Sequence, residues 1–159
     1  MSFFKSFKYA FEGIRYCIKN ERNMRIHTVV TLYVLIFARF FAFTKAEYAV
    51  LLLTIGGVTA AEATNTAIEK LADKVTQKYD PLIKIAKDAA AGAVLIRAIF
   101  SIGIGLFLFG NIEKLSAMYN FYMSHPINLA GIISLTVISI IFIINPLSKK
   151  GTKATEEEK

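Results

Sequence analysis

The sequence predicts an all-α integral membrane protein: an amphipathic surface helix followed by four membrane-spanning candidates. Three observations carry this reading. Of the 159 residues, 55% are hydrophobic and the mean hydropathy is +0.48, whereas a soluble domain holds about 45–50% apolar residues. The apolar residues are gathered in long blocks, and nearly all the cations lie between them. The N-terminal segment alone alternates charge and aromatics at helical spacing. Thirteen Phe and only three Pro argue against disorder, and the one cysteine, Cys17, excludes a disulfide scaffold.

In chain order, residues 2–19 form the amphipathic helix. Phe3, Phe4, Phe7, Phe11, Ile14 and Ile18 share an arc of about 100°. Lys5, Lys8, Glu12, Arg15 and Lys19 occupy the adjoining arc. Such a basic, aromatic-faced helix lies in a membrane interface. The first span is Thr28–Phe43, short and ending near Arg39. The second begins near Tyr48 and runs past Ile68, with Glu62, Asn65 and Glu69 in its later half. Asp80-Pro81 marks the turn to the third, Ala89–Phe109, which contains Arg97. The fourth, Ile127–Leu147, is free of charge. Arg97 is expected to pair with a carboxylate or snorkel.

The charges give the orientation. Six Lys or Arg lie in residues 1–25, five in 70–88 and four in the tail, against Arg39, Lys45 and Lys114 in the two remaining loops. The positive-inside rule places the N-terminus, residues 70–88 and the tail in the cytoplasm. The formal net charge of +7 thus reads as topology and contact with anionic lipid, and no nucleic-acid partner is expected.

The stretch AEATNTAIEKLADK, Ala61–Lys74, carries the chemistry. Glu62, Asn65, Glu69 and Asp73 fall on one helical stripe about 80° wide, with Glu62 and Glu69 about 10 Å apart along the axis. An ionisable group at the depth of Glu62 costs a few kcal/mol or more. It marks either a functional site or an interhelical hydrogen-bond cluster. Glu21, in KNERNMRIH, is the lone acid among basic side chains. It either joins Glu69 around a hard cation such as Mg²⁺ or forms an ordinary salt bridge. Lys87 is suited to phosphate, and Asp88 to a cap or helix-dipole partner of the third span. The small residues Ala89–Ala93 favour close helix packing. His27 and His125 are isolated. Gly105–Asn111 lacks the Lys and Ser/Thr of a phosphate-binding loop.

Together, FFKSFKYAFEGIRYCIKNERNMRIH (Phe3–His27), EATNTAIEKLADK (Glu62–Lys74) and KYDPLIKIAKDAAAGAVLI (Lys78–Ile96) resemble the bacterial diacylglycerol kinase family. The likeness is strongest to its Gram-positive branch, the undecaprenol kinases, and covers residues 2–109. It implies a small homotrimeric membrane kinase, with a surface helix, three spans per subunit and active sites shared between neighbours. It phosphorylates a lipid hydroxyl with ATP and Mg²⁺ at the bacterial plasma membrane. By that resemblance Glu62 is the general base, Glu21 and Glu69 hold the metal, and Asn65 and Asp73 support them. Tyr9, Glu21, Glu69, Lys78, Tyr79, Asp80, Lys87 and Asp88 surround the nucleotide. Arg15, Tyr16, Cys17, Ile18, Asn23, Met24, Arg25, Ile26, His27, Phe40, Phe41, Ala42, Phe43 and Ala91 line the lipid site. Ser2 stands where some relatives carry a nucleotide-contacting Arg. The implied organisation is a kinase domain over 1–110, an extracytoplasmic loop over 111–126, an added span over 127–148 and a cytoplasmic tail over 149–159. The family's short members lack that fourth span.

Three functions compete on the sequence. A lipid kinase, acting on undecaprenol or alternatively on diacylglycerol, uses every group named. A small ion transporter would use the acidic stripe alone. A non-catalytic adaptor would have no need of Glu21, Glu62, Asn65, Glu69, Lys87 and Asp88 together.

Overall fold

The computed structural model describes residues 3–144 and is helical throughout. The expected end of the last span, the tail and Ser2 lie outside the described residues. Six helices follow one another: α1 (Phe3–Asn20), α2 (Arg22–Ala38), α3 (Lys45–Val75), α4 (Pro81–Phe109), α5 (Ile112–Ser124) and α6 (Pro126–Ile144).

The frame is the antiparallel α3–α4 hairpin, whose 31 and 29 residues make rods of about 46 and 43 Å. Both exceed the ~30 Å hydrocarbon layer. Each begins with a strong cap. Thr44 and Glu47 form a complete capping box on α3. Asp80 accepts hydrogen bonds from the amides of Leu82 (2.8 Å) and Ile83 (3.1 Å), and Pro81 opens α4 with no amide to satisfy. The expected turn at Asp80-Pro81 is thus present. However, α4 starts eight residues before Ala89, because the cap lies at Asp80. Asp88 therefore stands inside α4, paired with Lys84, and caps nothing.

Three helices, α3, α4 and α6, are long and apolar enough to cross a membrane. The expected first span, Thr28–Phe43, is displaced towards the N-terminus: α2 has 17 residues, begins at Arg22 and ends at Ala38. Phe40–Phe43 form the turn into α3 rather than a last helical turn. There Ala42 adopts φ 49°, the left-handed conformation, which costs a residue with a Cβ about 1–2 kcal/mol. Phe41 is fully buried at the turn, and its ring meets Phe109 at 4.8 Å.

The predicted loop over 111–126 is a helix. Asn111 caps α5 through the amide of Lys114 (2.9 Å), and the ammonium of Lys114 donates to the carbonyl of Phe41. Rings of Phe121 and Tyr122 pack on Phe40, and Tyr122 on Phe37. Arg39 lies 4.8 Å over Phe40 and donates to the Tyr122 hydroxyl at 3.3 Å. From there α6 returns along α2, where Tyr33 and Thr136 share a hydrogen bond of 2.7 Å.

The α2–α3 turn generates a test with opposite signs two residues apart. Ala42→Gly removes the left-handed strain and stabilises the fold by about 1 kcal/mol. Thr44→Ala breaks the capping box and destabilises it by about 1 kcal/mol. Thermal unfolding midpoints of the two variants in one detergent should move to either side of the unsubstituted protein.

Candidate active site

The acidic stripe of α3 divides between two environments. Its membrane half faces the bend between α1 and α2. Glu62 and Asn65 are 3% and 8% exposed, although both lie on a span candidate. Asn23 and His27 of α2 lie beside Glu62. The amide nitrogen of Asn65 donates to Glu69 Oε1 at 3.0 Å, one turn towards the C-terminal end of α3. Glu62 Oε2 and Asn65 Oδ1 are buried without a hydrogen-bond partner. Two such acceptors side by side are costly unless a donor meets them, and a hydroxyl is such a donor.

Glu21 reaches the same end of α3 from another element. It is the single extended residue between α1 and α2 (φ −104°, ψ 123°). Its carboxylate pairs with Lys70 at 3.2 Å, next to Glu69 in sequence. Of the two readings of Glu21, the salt bridge is thus present, with Lys70 as its partner. Among the described residues no three His, Cys, Asp or Glu side chains converge on one point. A hard cation that keeps phosphate and water ligands asks for only one or two protein carboxylates. The acceptor-only side chains of Glu21 and Glu69 are a donor set of that kind.

Asp73, at the other end of the stripe, lines a cleft of about 480 Å³ at the α3–α4 turn. Lys78, Tyr79, Asp80, Lys87 and Asp88 line it too. Its walls are tied by an ion pair between Lys87 and Asp73 at 3.0 Å. The volume falls within the range of small-molecule sites. Tyr9 is more than half exposed on α1 and is not among the residues lining this cleft.

The residues expected around a lipid separate into groups. Cys17 and Met24 are buried at the α1–α2 bend, and Arg15, Tyr16, Ile18, Asn23, Ile26 and His27 lie there at least partly exposed. Phe40–Phe43 sit at the far end of α2, and Ala91 is exposed on α4. Arg25 departs from the expectation. It is 4% exposed and its guanidinium turns inward, onto the carbonyls of Lys19 and Ile143. A second, apolar cleft of about 140 Å³ runs between α2, α3 and α4, from His27 to Phe109. Apart from His27, sequence reading missed its lining. The available signal was the hydroxyls of Thr31, Thr54, Thr59 and Ser101 inside apolar blocks, four of the lining residues. For Arg97, expected to pair with a carboxylate or to snorkel, the guanidinium lies over Gly57, with Nη1 2.9 Å from the position a Cβ there would take. Among the described residues it forms no ion pair.

Comparison with known proteins gives a consistent result. The family profile described as prokaryotic diacylglycerol kinase matches residues 8–109. The chain is 44% identical over 107 residues to an undecaprenol kinase of Bacillus subtilis, covering 67% of this chain and 87% of that protein. It is 44% identical over 101 residues to a diacylglycerol kinase of Synechocystis, covering 63% of this chain and 58% of that protein. A diacylglycerol kinase of Helicobacter pylori is 31% identical over 97 residues, 61% of this chain and 76% of its own length. No solved structure matches the chain. The matched residues end at Phe109, so α5 and α6 lie beyond them.

The bend offers a direct check on burial. Cys17 is 6% exposed. Removal from water pushes its thiol above the ordinary value, more strongly than its hydrogen bond with Thr66 lowers it. The thiolate is the reactive form. At pH 7.5 iodoacetamide should therefore modify Cys17 about tenfold or more slowly than a free thiol. Mass spectrometry should show the rate rising only at pH values above those that suffice for a free thiol.

Proposed function

The chain belongs to the prokaryotic diacylglycerol kinase family, and on that premise we propose that it is a lipid kinase that phosphorylates undecaprenol, with ATP as donor, at the cytoplasmic face of a bacterial plasma membrane. The observation that carries this reading is the buried, partnerless Oε2 of Glu62. It lies on the same stripe as Asn65, Glu69 and Asp73. Along that stripe the groups occur in the order the reaction needs. The cleft beside Asp73 and Lys87 takes the nucleotide. The carboxylates of Glu69 and Glu21 come next. Glu62 lies deepest, about 16 Å from Asp73 along the helix, at the depth of a lipid hydroxyl.

In this reading Glu62 Oε2 accepts the proton of the lipid hydroxyl. The oxygen forms a bond to the γ-phosphorus, and the bond from that phosphorus to the bridging oxygen breaks, releasing ADP. Asn65 holds Glu69 in place through its amide. Lys87 and Lys78 offset phosphate charge at the cleft. A Mg²⁺ ion held by Glu21 and Glu69 would neutralise charge on the phosphates. The exposed Phe3, Phe4, Phe7 and Phe11 of α1 set the helix in the interface, beside the lipid residues of the bend.

The same geometry, with the distribution of Lys and Arg, supports the expected topology. Glu21 meets Lys70 near one end of α3, and the chain enters α3 at the other end through Thr44. The segment from Glu21 to Thr44 therefore traverses the same thickness as α3, which supports a crossing by α2 and a cytoplasmic N-terminus. A homotrimer with shared sites is supported by α4. Ala91 and the charged Arg97 are exposed on it, and a cation facing lipid is costly. Undecaprenol is preferred over diacylglycerol on the segments ERNMRIH and DPLIKIAKDAAAGAVL, which are of Gram-positive type.

The deciding experiment offers undecaprenol and diacylglycerol side by side to purified protein in mixed micelles with ATP and Mg²⁺. Phosphate should pass to undecaprenol in preference to diacylglycerol. Glu62→Gln should lower turnover by about 10³-fold with the oligomer intact. Retained turnover in that variant removes Glu62 as the base. Absence of transfer to either lipid removes the kinase reading.

A further inference from the structure

We propose that Arg25 is a positioning residue through which the sixth helix fixes the bend between α1 and α2, and with it the carboxylate of Glu21. The kinase reading enters only in what Glu21 then does; the link between the helices stands on its own.

Arg25 is 4% exposed, and its hydrogen bonds run to two helix ends. Nη1 donates to the carbonyl of Lys19 at 3.1 Å, in the last turn of α1. Nε and Nη2 donate to the carbonyl of Ile143 at 3.3 and 3.2 Å, in the last turn of α6. The final carbonyls of a helix have no partner within it, and the same end favours a positive charge. One guanidinium thus holds the last turn of α1 to the last described turn of α6. The contact needs a planar fork, which an ammonium does not supply.

Glu21 stands between the two anchor points. The chain leaves helical geometry at this residue, so the angle between α1 and α2 hinges on it. Backbone bonds Glu21 N to Cys17 O (2.9 Å) and Arg25 N to Glu21 O (3.3 Å) flank the break without bridging it. The side chain of Arg25 does bridge it, from α2 back to α1. Its remaining donors hold α6, whose other side-chain hydrogen bond to the body, among the described residues, is Thr136 to Tyr33. At its opposite end the hairpin of α5 and α6 is tied to the α2–α3 turn by Lys114 and Arg39. The helix beyond the matched kinase segment is therefore a strut behind α2. It acts on the site by keeping Arg25 engaged, which keeps Glu21 against Lys70.

The test uses the full-length protein with Arg25→Gln and, separately, Arg25→Lys. ATP, lipid and Mg²⁺ are each varied with the other two saturating. In Arg25→Gln the KM for MgATP and the Mg²⁺ concentration for half-maximal rate should rise about fivefold or more, with the lipid KM within about twofold. Arg25→Lys should recover little of this loss. A raised lipid KM with an unchanged MgATP KM overturns the proposal and returns Arg25 to the lipid site, and so do constants equal to those of the unsubstituted protein. Hydrogen exchange keeps the link testable apart from catalysis. Amides of residues 19–25 and 140–144 should exchange about tenfold faster in Arg25→Gln, or in Arg25→Lys where the Gln variant does not assemble. Unchanged exchange in both segments overturns the link. Accelerated exchange in the variant, with no kinase activity in the unsubstituted protein, overturns only the role given to Glu21.

Discussion

A carboxylate and an amide removed from water, on a helix that also crosses an apolar layer, must be met by donors from somewhere. Glu62 and Asn65 impose that demand on α3, and much of the surrounding architecture answers it. The bend at Glu21 brings Asn23 and His27 of α2 beside Glu62. The length of α3 carries Glu69 and Asp73 out towards water. The hairpin with α4 sets Lys87 against Asp73 at the exposed end. One helix thus spans a change of environment from apolar to aqueous, with a polar group at each step.

Much of this was legible in the residues. Helical spacing alone put Glu62, Asn65, Glu69 and Asp73 on one face, because a single straight helix has no freedom to arrange them otherwise. Asp80-Pro81 announced the turn, since a capping carboxylate and a proline at the first helical position act locally. The likeness over residues 2–109 is matched by the family profile over residues 8–109. What remained hidden depends on contacts between distant segments. Nothing near Arg25 in sequence says that its partner lies 118 residues away. The partner is also a backbone carbonyl, which leaves no trace in residue identity.

Two other departures have local causes that outweighed the hydropathy pattern. Phe40–Phe43 extend the apolar block of the first span, yet the chain must reverse before the cap at Thr44. An apolar block therefore becomes a turn, with Phe41 buried in it. The segment after Gly110 reads as a loop because it is short and polar. Asn111 nevertheless starts a helix there, and the aromatic faces of Phe121 and Tyr122 find Phe37 and Phe40 to pack against. In both cases a capping residue decided the local structure.

The strut formed by α6 has one further consequence. Its 19 residues make a rod of about 28 Å, close to the ~30 Å of a typical hydrocarbon core. It is anchored to α2 near its C-terminal end by Arg25 and, through α5, near its N-terminal end by Arg39 and Lys114. A free helix relieves a mismatch with the bilayer by tilting; a helix held at both ends has lost that freedom. In a thinner or thicker membrane α6 can then tilt only together with α2, so a mismatch is met by the bundle as one body or by the surrounding lipid.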